Sequence, residues 1–203
     1  MFWKQVFTDS ISFWTAIGAL ATILAVIMAL FGEKIKSKIW GARLFIEHKN
    51  KLPFNKHAYS INTNGQTKKG FYIRLKIENT GKSTAHSVYG KLTKIEYLEE
   101  NQSIDIYDPS VLRWVSTQEC KPINLSPRDF DFLDILFSIE NEDNFILQTD
   151  YKLRGSPFVF KKNLSPHALY ISIYSDDAPT VSARFSLQFD ISQRYDSIKL
   201  QKL

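Results

Sequence analysis

Residues 70–92 read GFYIRLKIENTGKSTAHSVYGKL, and their interpretation decides what kind of domain the chain builds. Phe71, Ile73, Leu75 and Ile77 alternate with Tyr72, Arg74, Lys76 and Glu78, the period-two pattern of a strand with one buried and one solvated face. The G-K-S at Gly81, Lys82 and Ser83 invites another reading, as the end of a phosphate-binding loop. Such a loop needs GxxxxGK[ST] between a buried parallel strand and a helix, so that backbone N–H groups and the helix N-terminus together surround the phosphates. Its first glycine would fall at Lys76, the strand before it is amphipathic, and STAHSVYGKL after it is rich in β-branched and aromatic residues, a poor helix start. Asn79, Thr80 and Gly81 therefore read as a turn between two strands, with Gly81 free to take positive φ.

The same period recurs further on. In VSARFSLQFDI, Val181, Ala183, Phe185, Leu187, Phe189 and Ile191 alternate with Ser182, Arg184, Ser186, Gln188 and Asp190. Half-polar strands of this kind belong to antiparallel sheets, since parallel sheets bury both faces. The pattern predicts strands near 43–48, 57–62, 70–79, 85–97, 111–117, 132–140, 144–150, 157–160, 168–175 and 181–191. Many short strands without a long helix among them point to a sandwich or a small closed barrel. The tail RYDSIKLQKL fits an edge strand and a frayed end equally well.

At the other end, ISFWTAIGALATILAVIMALF, residues 11–31, carries no charged side chain. A helix of that length rises roughly 30 Å, about the thickness of a bilayer's hydrocarbon core, and satisfies its own backbone there. The apolar run is longer than that of a cleaved leader, the segment before it holds one lysine, and no A-x-A site follows, so it reads as a retained anchor. Trp3, Phe13 and Trp14 at one end and Trp40 at the other suit the two interfacial belts. Six Lys and Arg follow the run within residues 33–51 and one precedes it, which places the C-terminal side in the cytoplasm by the positive-inside rule. The lone cysteine, Cys120, fits a reducing compartment.

The formal net charge of +5 is local. Lys34, Lys36, Lys38, Arg43, Lys49 and Lys51 outweigh Glu33 and Glu47, and residues 52–203 are nearly neutral. The basicity therefore argues against a nucleic acid polymer as partner. Lys34, Lys36, Lys38 and Trp40 are placed to meet anionic lipid headgroups; equally, the lysines serve only to set topology. Within the span, Thr15, Gly18, Ala21, Thr22, Ala25, Ala29 and Gly32 recur at three- and four-residue spacing. Such a stripe of small side chains lets backbones approach closely and favours a homo-oligomer.

The stretch RLKIENTGKSTAHSVYGKL, with LDILFSI at 133–139 and LYISIYSDDAPTVSARFSLQF later on, resembles immunoglobulin-like β-sandwich modules used by bacterial proteins for adhesion and interaction. The resemblance covers roughly residues 43–191, and it implies a fold and no chemistry. In layout the chain also resembles membrane effectors of bacterial antiviral systems, in which a span is coupled to a cytoplasmic β-rich domain sensing a cyclic nucleotide.

Candidate chemistry is sparse. His48, His57, His86 and His167 lack metal-ligand spacing with one another or with Cys120. Asp129, Asp131 and Asp134 in RDFDFLDI, and Asp176 and Asp177 in a turn, offer oxygens but no EF-hand register. Lys68, Lys69, Lys82, Arg154, Lys161 and Lys162 lie near predicted turns, where they form either an anion pocket or ordinary solvated charge. Together these readings give an all-β, antiparallel immunoglobulin-like sandwich behind one N-terminal transmembrane helix. Its parts are a short segment (1–10), the span (11–32), a basic juxtamembrane stretch (33–42) and a cytoplasmic domain (43–203). The expected role is a single-pass inner-membrane binding or signalling module for a protein or small ligand, with no cofactor, metal or catalytic residue. The alternative is a membrane-disrupting effector gated by a cyclic nucleotide.

Overall fold

In the computed structural model the described residues are 2–63, 66–97, 102–142, 144–150, 152–153, 156–157, 159–161, 167–188 and 198–203. The chain forms two compact units, Met1–Gly41 and Ala42–Leu203.

The first unit is one helix, α1 (Phe2–Trp40). It contains the segment Phe13–Gly32, long and apolar enough to cross a membrane, with a mean hydropathy of 2.3 and none of it buried. The basic stretch after Gly32 continues the helix to Trp40 and so adds about two turns to it. At about 100° per residue, the seven small residues from Thr15 to Gly32 fall within roughly a third of the circumference. Leu20, Leu24, Ile27 and Phe31 occupy the opposite side. Thr22 donates its hydroxyl to Gly18 O at 2.8 Å, closing its donor within the helix. A side chain at Gly18 or Gly32 would meet open space.

The second unit is built of strands. Along the chain these are β1 (Leu44–Glu47), β2 (Asn55–Thr63), β3 (Gln66–Asn79), β4 (Ala85–Tyr97), β5 (Gln102–Val111), β6 (Arg113–Trp114), β7 (Ile123–Leu125) and β8 (Phe130–Ile139). They continue as β9 (Asn144–Leu147), β10 (Lys152–Leu153), β11 (Ser156–Pro157), β12 (Val159–Lys161), β13 (His167–Tyr174), β14 (Val181–Gln188) and β15 (Lys199–Lys202). A seven-stranded sheet runs β1-β3-β8-β9-β12, with β2 beside β3 and β6 beside β8. A six-stranded sheet runs β15-β14-β13-β4-β5, with β7 beside β4. All pairings within these sheets are antiparallel, as the half-polar strands predict. Within the tail, Lys199–Lys202 form an edge strand, since β15 pairs with β14.

Both sheets contribute to one core. Ile73, Leu75, Ile77, Leu133 and Ile135 come from the first, and Leu92, Ile95, Leu169, Ile171, Phe185 and Leu187 from the second. The packing is tight at Gly90, where an added methyl would collide with Leu133 Cδ1 across the core and lie 3.2 Å from Ile173 Cδ1 and 3.5 Å from Leu112 Cδ1. Gly90→Ala is expected to cost about 1–3 kcal/mol by overpacking. Because the colliding atom is one methyl of a leucine, Gly90→Ala with Leu133→Val is expected to cost less than the sum of the single changes. Urea melts of the four proteins check this; strict additivity contradicts it.

The N-x-G segment joins the two sheets rather than closing a hairpin, because β3 belongs to one and β4 to the other. Asn79 is fully buried at this crossing. Its Oδ1 accepts from Arg43 N at 3.1 Å and Gly81 N at 3.0 Å, and its Nδ2 donates to Ser83 O at 2.8 Å and Leu125 O at 2.9 Å. At a second edge the side chain of Asn50 acts as a piece of strand. Its Nδ2 donates to Leu200 O at 3.1 Å and its Oδ1 accepts from Leu200 N at 3.2 Å.

Two expectations need correction. Arg74, assigned to a wet face by alternation, is only 8% exposed. Its Nε donates to Asp134 Oδ1 at 2.7 Å, and Arg113 Nη2 donates to Asp134 Oδ2 at 3.1 Å. Phe54, itself buried, covers this side of the sheet edge-on to Phe132, with ring centroids 5.7 Å apart. The strand expected at 111–117 is also two strands, β5 and β6, in different sheets, and residues 115–117 turn.

Candidate functional site

The outer face of the six-stranded sheet gathers tyrosines and cations. Alternation sends Tyr89 and Lys91 outward from β4 while Val88, Gly90 and Leu92 are buried. On β13 it sends Tyr170, Ser172 and Tyr174 outward while Leu169, Ile171 and Ile173 enter the core. The register places Tyr174 opposite Tyr89, so their rings stack at 5.4 Å between centroids and 17° between planes. Lys91 Nζ lies 5.0 Å from one ring centre and 5.4 Å from the other, within cation–π range. Among the described residues Lys91 forms no ion pair with a carboxylate.

Four residues along β13, roughly 13 Å away, stands a second cluster. Tyr170 OH donates to Glu96 Oε2 at 2.8 Å, Arg184 Nη2 donates to the same oxygen at 2.9 Å, and Lys94 Nζ lies 2.8 Å from Oε1. Lys94 Nζ and Arg184 Cζ also lie 5.3 and 5.4 Å from the Tyr170 ring centre. Between the clusters, Ser172 and Ser182 hydroxyls meet at 2.8 Å. Three cations and one carboxylate leave the strip positive, and its tyrosines offer flat apolar area. Such a surface can hold an anionic group by charge and a planar group by stacking.

The bonds from Lys94 and then Tyr170 hold the Glu96 carboxyl below its ordinary value, while burial and then Glu96 push the Tyr170 phenol up. A carboxylate whose folded pKa is lowered stabilises the fold above its unfolded value, and that contribution is lost as pH falls through the folded one. The cluster is therefore expected to stay closed at neutral pH and to release Tyr170 and Arg184 only below the usual glutamate value of roughly 4.3. An NMR titration of Glu96 measures this; a midpoint at or above that value contradicts it.

Among the described turn cations, Lys82 stands apart from Lys68, Lys69 and Lys161. Lys68 pairs with Glu142 at 3.0 Å, and Lys69 next to it is exposed. Lys161 shares their end of the sheet, opposite Asn144 in the β9–β12 register. Lys82 follows the far end of β3, on the order of 40 Å away along the strand. Arg154 and Lys162 lie outside the described residues. On α1, Gly18, Ala21, Thr22, Ala25 and Ala29 are exposed, as are Lys36 and Trp40, while nothing is described of the Lys34 and Lys38 side chains.

The remaining candidates are engaged separately. His48 bonds Arg74 O at 2.8 Å, His167 is buried, and the His57 side chain lies outside the described residues. Nδ1 of His86 lies 2.5 Å from Asp177 Oδ2, and Ser175 Oγ lies 2.9 Å from Asp177 Oδ1 and 2.8 Å from His86 O. Burial raises the Asp177 carboxyl, but the His86 and Ser175 bonds outweigh it and leave the group below its ordinary value. Ser175 thus faces the carboxylate and a carbonyl and, among the described residues, has no bond to imidazole, unlike an activated nucleophile. Asp131 accepts from the Ser116 hydroxyl and from Phe132 N, and Asp129 from Phe130 N. Burial pushes the Cys120 thiol up, the opposite of what a reactive thiolate needs.

No protein-family model matches the chain, and no curated protein matches it. A solved structure described as the X-ray structure of Northeast Structural Genomics Consortium target SoR45 aligns over 79% of this chain and 85% of its own, at 10% identity and a TM-score of 0.33. A likeness that weak carries no argument.

Proposed function

We propose that the chain is a membrane-anchored, non-enzymatic binding module. α1 crosses the inner membrane, and the two-sheet domain, an immunoglobulin-like sandwich in this reading, faces the cytoplasm. There it recognises an anionic protein or small ligand on the Tyr89–Lys91–Tyr174 and Tyr170–Arg184–Lys94 strip. The observation that carries the reading is the conjunction of an apolar helix with no buried residue in its span and a domain whose tyrosines and cations are organised on one face. The excess of Lys and Arg after the span supports the orientation, and its small-residue stripe supports self-association. With the full-length protein as bait in detergent, Lys91→Glu with Arg184→Glu is expected to lower partner recovery at least about tenfold, the loss of one charged contact or more. Equal recovery contradicts the assignment of this face.

A second reading, a membrane-disrupting effector gated by a cyclic nucleotide, is favoured by the stacked Tyr89–Tyr174 pair, which suits a nucleobase beside its phosphate. Removing one stacking ring, by Tyr89→Ala, is then expected to weaken nucleotide binding by roughly 1–3 kcal/mol. Cells expressing the chain should depolarise when the ligand is supplied, and Ala25→Leu should prevent it. Depolarisation absent under every cyclic nucleotide offered rejects this second reading and leaves the first.

A further inference from the structure

In the domain, two strand residues expose large apolar side chains among those described: Phe45 at 47% and Phe130 at 48%. They are one row of a single surface. Phe45 on β1 faces Glu78 on β3, and Glu78 faces Phe130 on β8, so the two rings flank Glu78 on the outer side of the seven-stranded sheet. Each carries an ammonium. Lys76 Nζ lies 4.4 Å from the Phe130 ring centre and pairs with Glu78 Oε2 at 2.6 Å, and Lys202 Nζ lies 5.7 Å from the Phe45 ring centre. Phe130 also meets the Phe132 ring edge-on, with centroids 5.7 Å apart, yet it and Phe45 both stay about half exposed.

Chain length limits where this row can go. The Asn79 amide and Thr80 N bind the backbone of Arg43, so the domain's attachment point is fixed two residues before Phe45. From Gly32 to Trp40 the helix adds about 12 Å, and Gly41–Arg43 reaches at most roughly 10 Å further. That sum is shorter than β3, whose 14 residues extend about 45 Å. If α1 spans a bilayer, the end of the domain bearing Phe45 and Phe130 is therefore tethered within reach of the headgroups.

Resting on the spanning reading of α1, we propose that Phe45 and Phe130 are a second membrane anchor. The rings enter the interface of an anionic bilayer, while Lys202 meets lipid phosphates from above them. The domain then docks on its outer seven-stranded face, and the tyrosine–cation strip on the other sheet stays available to ligand.

The test uses the full-length chain with Cys120→Ser, carrying one nitroxide at Glu78→Cys, between the two rings, or at the exposed control Gln188→Cys. The protein is reconstituted in vesicles of phosphatidylcholine with phosphatidylglycerol, and collision rates with oxygen and with a water-soluble nickel complex are compared. Expected is a several-fold rise in the oxygen-to-nickel ratio at position 78 relative to detergent, no rise at 188, and loss of the rise in Phe45→Ser with Phe130→Ser. Position 78 as wet as 188 overturns the docking proposal. Flotation of the same sample keeps the two ideas apart: protein that fails to float with the vesicles overturns the spanning reading itself, whereas protein that floats with a wet position 78 overturns the docking alone.

Discussion

Asn79→Leu is expected to destabilise the β domain by about 4 kcal/mol, because it strands four backbone groups, each costing roughly 1–3 kcal/mol when buried without a partner. Arg43 N and Gly81 N lose their acceptor, and Ser83 O and Leu125 O lose their donors. The side chain joins four segments: the first strand's start, the crossing turn, the segment before β4 and the end of β7. Asn79→Asp discriminates this account from a packing effect. It has the shape of asparagine and keeps both acceptor bonds, but sets an oxygen against two carbonyl oxygens. The urea midpoint of the Asn79→Asp variant should lie near that of Asn79→Leu and far from wild type; an aspartate as stable as asparagine contradicts the role given to the two donor bonds. Native domains hold only about 5–15 kcal/mol, so either change is expected to lower expression as well.

Asp134→Ala is expected to cost about 3–5 kcal/mol, since it leaves the Arg74 guanidinium buried without its counter-ion. Arg113 at 3.1 Å loses the same partner. The cost belongs to the broken pair and not to the pair as such, because a buried ion pair gains little over apolar residues of similar volume. Arg74→Met with Asp134→Leu and Arg113→Met is therefore expected to lie much closer to wild type than Asp134→Ala does. Thermal melts of the single and triple variants measure it. A triple variant as unstable as the single one means that the cluster contributes stability in its own right.

These two side chains also mark where the sequence was legible and where it was not. Alternation identified β3, β4, β13 and β14 because each has one apolar face, and the run at 11–31 announced its helix by length alone. β5 was missed because QSIDIYDPSV carries two aspartates and Pro109, all poor strand formers. Arg74 was misassigned because alternation tells which residues share a face but not whether that face is covered, and Phe54 covers it from another segment. The turn chemistry of Asn79 was visible, but its partners Arg43 and Leu125 are 36 and 46 residues away.

The tyrosine–cation strip escaped for the same reason. Tyr89 and Tyr174 are each outward positions of a legible strand, yet period two does not say which strands are neighbours. Only the β4–β13 register sets them ring to ring. The outward tyrosines at 89, 170 and 174, taken with Lys91 and Arg184, were the available signal. The turn lysines drew attention instead because turns display charge, and the length of β3 keeps Lys82 apart from Lys68 and Lys69.

Everything proposed for this chain depends on α1 lying in a bilayer. Membranes from cells expressing the full-length chain, washed in alkaline carbonate and sedimented without detergent, test this most directly. The account predicts that the wild-type chain stays in the pellet and that Leu20→Lys with Leu24→Lys, which places two charges on the bulky face of the helix, moves it to the supernatant. A wild-type chain released by carbonate alone would contradict it.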